Sequence, residues 1–154
     1  AMEPAARIRA ARAKKGQEAK ERARQKQLTA RYCYSTDRWL IRAPVGVNEI
    51  AAEGKALKHC VGGYADRHLS GSTTILFLRD RRRPGKPLVT IEMRGNDIAQ
   101  IHGYRNDLYA KADPREEYAE ILEPWLAWLA AGSRRDKMGR PIQPKKKKKE
   151  GTAA

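Results

Sequence analysis

Apolar and polar positions alone divide the chain into a polar run, a patterned middle and a polar end. Residues 5–30 (AARIRAARAKKGQEAKERARQKQLTA) carry almost no apolar stripe, yet Ala, Arg, Lys, Gln and Glu lose little side-chain freedom in a helix. They predict a long solvated helix, in spite of Gly16, with little to bury on its own account. Trp39, Leu40 and Ile41, ahead of the breaker Pro44, predict a short strand. A helix follows, with Asn48 as N-cap, a stripe of Ile50, Ala51, Gly54, Ala56 and Leu57, and Gly62 and Gly63 as its stop.

Three runs then alternate with turn residues. TTILFLR (73–79) reads as a strand, Pro84, Gly85 and Pro87 as a turn, and LVTIEM (88–93) as a second strand. Gly95, Asn96 and Asp97 turn the chain into a third strand, IAQIHG (98–103), completing an antiparallel meander. Residues 113–131 predict a helix with Asp113 as N-cap, Pro114 at its first position, and Tyr118, Ile121, Leu122, Trp125, Leu126 and Leu129 on its packing face; Pro124 is a candidate kink. The fold class is α+β: a small three- to four-stranded antiparallel sheet with flanking helices, a basic N-terminal helix and a disordered basic C-terminal tail.

Charge sharpens that division. Of the net +15 on 154 residues, residues 1–31 carry +7, residues 32–133 only +1, and residues 134–154 another +7. The expected organisation is a basic helical arm over 1–31, one α+β domain over 32–132, and a Lys-rich tail over 133–154 whose composition cannot bury enough apolar area to order itself. Polybasic arms favour polyanions without choosing among them, and their contacts weaken with salt. With no aromatic residues for stacking in the arms, base-specific reading is not supported there. Lys145, Lys146, Lys147, Lys148 and Lys149 are the densest candidate contacts to nucleic acid. Two cysteines, Cys33 and Cys60, do not make a disulfide framework, so a reducing, cytoplasmic compartment is expected. The apolar runs are too short to predict membrane insertion, and the start lacks the apolar core of a signal peptide.

Candidate chemistry sits in two places. Period-two alternation puts Val89, Ile91 and Met93 on one face of the second meander strand and Thr90 and Glu92 on the other; in the third, Gln100 and His102 oppose Ala99 and Ile101. The hairpin can gather Thr90, Glu92, Gln100 and His102 on a common polar face. The plain alternative is a sheet showing one wet face to solvent. The second place is LKHCVGGYADRH (57–68), where His59 and Cys60 sit at a helix end. As chemistry, Cys60 would be a nucleophile with His102 or His59 as base and Glu92 or Gln100 as orienter or oxyanion donor, in a hydrolase or transferase. As structure, Cys60 is a small core residue, His59 a cap and Tyr64 a turn anchor. His59, Cys60, His68 and His102 match no familiar zinc spacing, and no Walker A loop, GxGxxG or CxxC asks for a cofactor.

In order along the chain stand LIRAP, EGKALKHCVGGYADRH, GSTTILFLR, PLVTIEM and IAQIHGYRN, from Trp39 to Asn106. This series resembles the PcfJ-like family of conjugative plasmids, integrative elements and phages. His59, Cys60, Tyr64, Glu92, Gln100, Gly103 and Asn106 carry the resemblance, and both terminal arms lie outside it. It implies an accessory protein of a mobile element, with other proteins of that element as partners, and attaches no activity to the site. Joined to the basic arms, it leads to an expectation of non-specific nucleic-acid association. The other reading is a protein-interaction module in which Trp125 and Trp128 dock a partner.

Overall fold

The computed structural model describes residues 2–107 and 112–145, with Cys60 described by its backbone. Helix α1 (Pro4–Tyr32) runs for 29 residues, about 44 Å at 1.5 Å per residue. Pro4 suits its first turn, where an N–H would lack a helical partner anyway. Residues 7–20 are exposed throughout, as the missing stripe predicts. The last turns differ: Leu28 and Tyr32 are buried, and Arg24 reaches across to the carbonyls of His68 (2.9 Å) and Thr73 (2.9 Å) and to Thr74 Oγ1 (3.0 Å). The arm is therefore a projecting rod with one end built into the domain.

Five antiparallel strands lie side by side in chain order: β1 (Tyr34–Ser35), β2 (Trp39–Arg42), β3 (Thr74–Asp80), β4 (Val89–Arg94) and β5 (Asp97–His102). The expected three or four strands become five because β1, at two residues, is too short for alternation to reveal. The long connection from β2 to β3 holds α2 (Val47–Leu57), a 3-10 turn (Cys60–Tyr64) and α3 (Ala65–Ser70). It covers one face of the sheet, where Ile50, Val61, Ile75 and Phe77 pack together. The helix after the sheet is broken at Tyr118 into α4 (Pro114–Glu117) and α5 (Ala119–Ala130), with Pro124 inside α5 rather than at the break. Asp113 caps α4 as expected, accepting from Arg115 N–H at 2.8 Å. On the sheet's other face, Ile41, Leu76, Leu78, Ile91 and Met93 pack with Ile121, Leu122, Trp125 and the end of α1. Both faces being covered, β3 is apolar on both sides, and the wet-face alternative fails on β4, where Thr90 and Glu92 are only 6% and 7% exposed, while Gln100 on β5 stays open to solvent.

Local details also depart from expectation. Asn48 lies inside the first turn of α2, with Gly46 at the cap. The helix stops at Lys58, which takes the left-handed conformation (φ 53°), while Gly62 and Gly63 fall within the 3-10 turn. Trp125 and Trp128 are fully buried, their indole N–H groups donating to the carbonyls of Tyr32 (2.9 Å) and Arg134 (2.7 Å). Neither is placed to dock a partner. The tail expected to be disordered from residue 133 is packed on the domain as far as Gln143, which accepts from Tyr34 Oη at 2.6 Å and donates to the Pro124 carbonyl at 2.7 Å. Arg135 lies over the Trp128 ring and donates to the carbonyls of Thr29 (2.9 Å), Ala30 (3.2 Å) and Cys33 (2.6 Å). A guanidinium at these carbonyls, of which Thr29's also accepts from Cys33 N–H at 3.2 Å, both caps α1 and complements its dipole. Low hydrophobicity predicts disorder only where polar groups find no such partners.

Between α2 and β3 lies a buried ion pair. Arg79 Nη1 and Nη2 donate to Glu53 Oε2 and Oε1 at 2.8 and 2.5 Å, with both side chains almost wholly enclosed. Burial pushes the Glu53 carboxyl up, against the pull of Arg79. Glu53→Gln leaves the Arg79 charge uncompensated and is expected to lower the unfolding free energy by about 3 kcal/mol in urea melts. Glu53→Met with Arg79→Met should recover most of that loss; an unchanged midpoint in the single variant would show that the pair does not hold the layers together.

His68 gives a pH signature. Its Nδ1 accepts from Ile75 N–H (2.9 Å), and burial, with the Arg24 cation beside it, lowers its pKa to about 4. The unfolded imidazole protonates near pH 6.5, the folded one only near 4, so stability is full above about 6.5 and falls by about 3 kcal/mol as pH drops to 4. His68→Asn keeps an acceptor without the titration. Its urea midpoint should change less than the wild type's over that window, and parallel curves would rule out this assignment.

Candidate functional site

The β4–β5 register pairs Thr90 with His102 and Glu92 with Gln100, so the four side chains grouped by alternation do share one face. They line a cavity of about 210 Å³ together with His59, Val61, Tyr64, Ile75 and Asn106. The His59–Tyr64 stretch reaches it because it lies directly on α2. At Gly54 a Cβ would stand 2.9 Å from Gly62 N and 3.2 Å from the His59 carbonyl, so only glycine permits that approach.

His59 spends both ring nitrogens. Nδ1 accepts from Val61 N–H at 3.3 Å, which assigns the proton to Nε2, and Nε2 donates to Thr90 Oγ1 at 2.9 Å. The Thr90 hydroxyl in turn reaches Glu53 Oε2 at 3.4 Å, so a chain of hydrogen bonds runs from the cavity wall to the buried ion pair. Burial lowers the His59 pKa, with its own backbone contact and Asp107 acting in the opposite direction and His102 reinforcing the drop. A neutral imidazole with Nε2–H facing Thr90 is the wrong tautomer to take a proton from that hydroxyl. Its work in this arrangement is to hold the turn on the sheet.

His102 is arranged differently. Its Nδ1 meets Asp107 Oδ2 at 3.1 Å, while Asp107 Oδ1 accepts from Gly103 N–H at 2.8 Å. Gly103 makes room for this carboxylate: a Cβ there would stand 3.0 Å from Oδ1. Left-handed backbone at Arg105, Asn106 and Asp107 (φ 51°, 52° and 67°) folds the segment back under His102 and brings Asn106 to the cavity. With Nδ1 held by a carboxylate, Nε2 is the nitrogen left to accept and return a proton. Asp107 carries no periodic signal in the sequence, because its place is set by this run of left-handed residues.

Glu92 Oε2 accepts from Thr73 Oγ1 at 2.5 Å, while Gln100 is exposed at the cavity's mouth and Tyr64 is half-buried in its wall, under the Arg67 guanidinium at 4.1 Å. The backbone of Cys60 begins the 3-10 turn beside the cavity, and its side chain lies outside what the structure describes. Lys145 is exposed, and Lys146, Lys147, Lys148 and Lys149 lie outside the described residues. Among the described residues, no group of three or more His, Cys, Asp or Glu converges as a metal site, and no helix is long and apolar enough to cross a membrane.

A protein of Listeria innocua bearing the name Uncharacterized protein Lin1253/Lin1744 is 36% identical over 93 residues, covering 59% of this chain and 19% of that protein's length. No solved structure matches. The family described as PcfJ-like protein matches residues 6–117. That range takes in nearly all of α1, correcting the expectation that the N-terminal arm lies outside the resemblance, and it includes every residue lining the cavity. By the extent of that match, the chain belongs to the PcfJ-like family.

Proposed function

We propose that this protein is an accessory protein of a mobile element that associates with nucleic acid, and that α1 supplies the phosphate contacts. The observation that supports this most is the one-ended anchoring of α1. Its domain end is held by Arg24, Leu28 and Tyr32, and by Arg135 on its last carbonyls, while its outer half stands in solvent. From Pro4 to Gly16 it presents Arg7, Arg9, Arg12, Lys14 and Lys15 and no acidic residue. Lacking an apolar stripe, that half has nothing to lay on a bilayer or in a partner's groove. Cations on a pre-formed rod neutralise phosphates by counterion release without reading sequence.

The folded domain adds cations that its near-zero net charge conceals. Arg81, Arg82, Arg83 and Lys86 are all exposed on the β3–β4 turn. Arg82 is paired with Asp80 at 2.7 Å, so the turn is a weaker patch than its four cations suggest.

The test is a fluorescence-anisotropy titration of the full chain against duplex DNA, single-stranded DNA and RNA over a salt series. Replacing Arg7, Arg9, Arg12, Lys14 and Lys15 by Gln should weaken duplex binding at least tenfold at ~0.1 M salt. It should also flatten the slope of log K against log[salt] by about 0.9 for each phosphate that is no longer neutralised. Unchanged affinity and slope in a variant with unchanged helicity would remove α1 from the interface, and no binding by the wild type at low salt would end the nucleic-acid reading.

A further inference from the structure

The cavity is chemically unlike α1. None of its described lining residues is Lys or Arg, so it is poorly suited to a phosphate. Its floor is apolar through Val61 and Ile75. At about 210 Å³ it falls below the roughly 300 Å³ at which drug-sized sites begin, and suits a single small ring system. Glu92, nine-tenths buried, gives one carboxylate oxygen to Thr73 and leaves Oε1 for a ligand. Gln100 and Asn106 bring amides to the opening, and His102 brings Nε2. A flat ligand with apolar faces and a hydrogen-bonding edge satisfies all of these at once.

We propose that this cavity receives one unstacked base of a single-stranded nucleic acid, and that Glu92 selects bases carrying an exocyclic amino group. This rests on the nucleic-acid reading of α1 and deepens it. Residues 1–31 contain no aromatic side chain to stack a base, so α1 holds the strand only by its phosphates. Recognition of the base belongs to a different part of the molecule. An extruded base is read by hydrogen bonds along its edge and by apolar or aromatic contact on its faces, here Tyr64, Val61 and Ile75. A carboxylate accepts from an amino group, as on cytosine N4. Uracil has no such group: its edge offers a single imide N–H flanked by two carbonyl oxygens, which meet Glu92 lone pair to lone pair. Arg67, over Tyr64, sets a cation next to the cavity's wall, where it can meet an adjoining phosphate.

The experiment is an NMR titration of the ¹⁵N-labelled full chain with adenosine, cytidine, guanosine and uridine, with agmatine as a cationic control. Nucleosides carry no phosphate, so the outcome is independent of α1: a failure here leaves the salt-dependent binding untouched, and a failure there leaves this result standing. Saturable shifts are expected at residues around the cavity, with at least one amino-bearing nucleoside binding tenfold or more tightly than uridine. Glu92→Gln should remove that preference, and Gln100→Ala, at an exposed position that does not threaten the fold, should weaken binding several-fold. No saturable shift with any nucleoside, equal binding of uridine, or a Gln100→Ala variant that binds like wild type overturns the proposal. Saturation by agmatine alone also overturns it and makes the cavity a site for a cationic side chain.

Discussion

Two opposite charges enclosed between α2 and the sheet set the terms for the rest of the domain. Burying Glu53 and Arg79 carries a desolvation cost that only close, two-point geometry offsets. That requirement fixes how α2 lies on β3. From α2's position follow the close approach at Gly54, the seat of the His59–Tyr64 turn and the wall of the cavity. Thr90 joins the two regions, facing Glu53 on one side and His59 on the other. Apolar packing supplies the bulk of the stability, at about 1.5–3 kcal/mol for each large side chain fully buried. Packing is non-directional, however, and the ion pair adds the register it lacks.

Sequence alternation captured the cavity's sheet side because each strand has a period of two, although a register shift between Glu92 and Met93, not the turn, sets Gln100 opposite Glu92 and His102 opposite Thr90. Its helical side was partly legible: LKHCVGGYADRH stood out by composition, but not which atoms of His59 would be occupied. The covering of both faces was written in β3 as a continuous apolar run, a pattern that belongs to strands buried on two sides. Asp107 was out of reach because three successive residues with positive φ place it, and non-glycine residues seldom adopt that conformation. Arg135 was hidden for another reason. Apart from the nearby Gly139 carbonyl, its partners are backbone carbonyls about a hundred residues away, which no local pattern records.

The family match and the architecture divide the chain at different points. The match runs from residue 6 to 117 and so includes nearly all of α1, the cavity and α4, but stops before α5. Yet the seat of α1 uses Trp125 of α5 and Arg135 beyond it. In this chain, then, the shared region supplies the cavity complete and the rod incomplete. The segment after residue 117 finishes the rod's socket and buries the apolar face of the sheet that α2 and α3 do not reach.

The cap that Arg135 places on α1 also orders events in time. The two are separated by 102 to 106 residues, so their contact closes one of the longest loops in the chain and carries a correspondingly large entropic cost. During synthesis α1 emerges well ahead of Arg135, and the carbonyls at its C-terminal end are joined by a guanidinium made more than a hundred residues later. Until then the helix is held by Arg24, Leu28 and Tyr32, without the clamp on its C-terminal end. Arrival of that guanidinium, rather than formation of the helix, is what tightens a held charge into an aimed one.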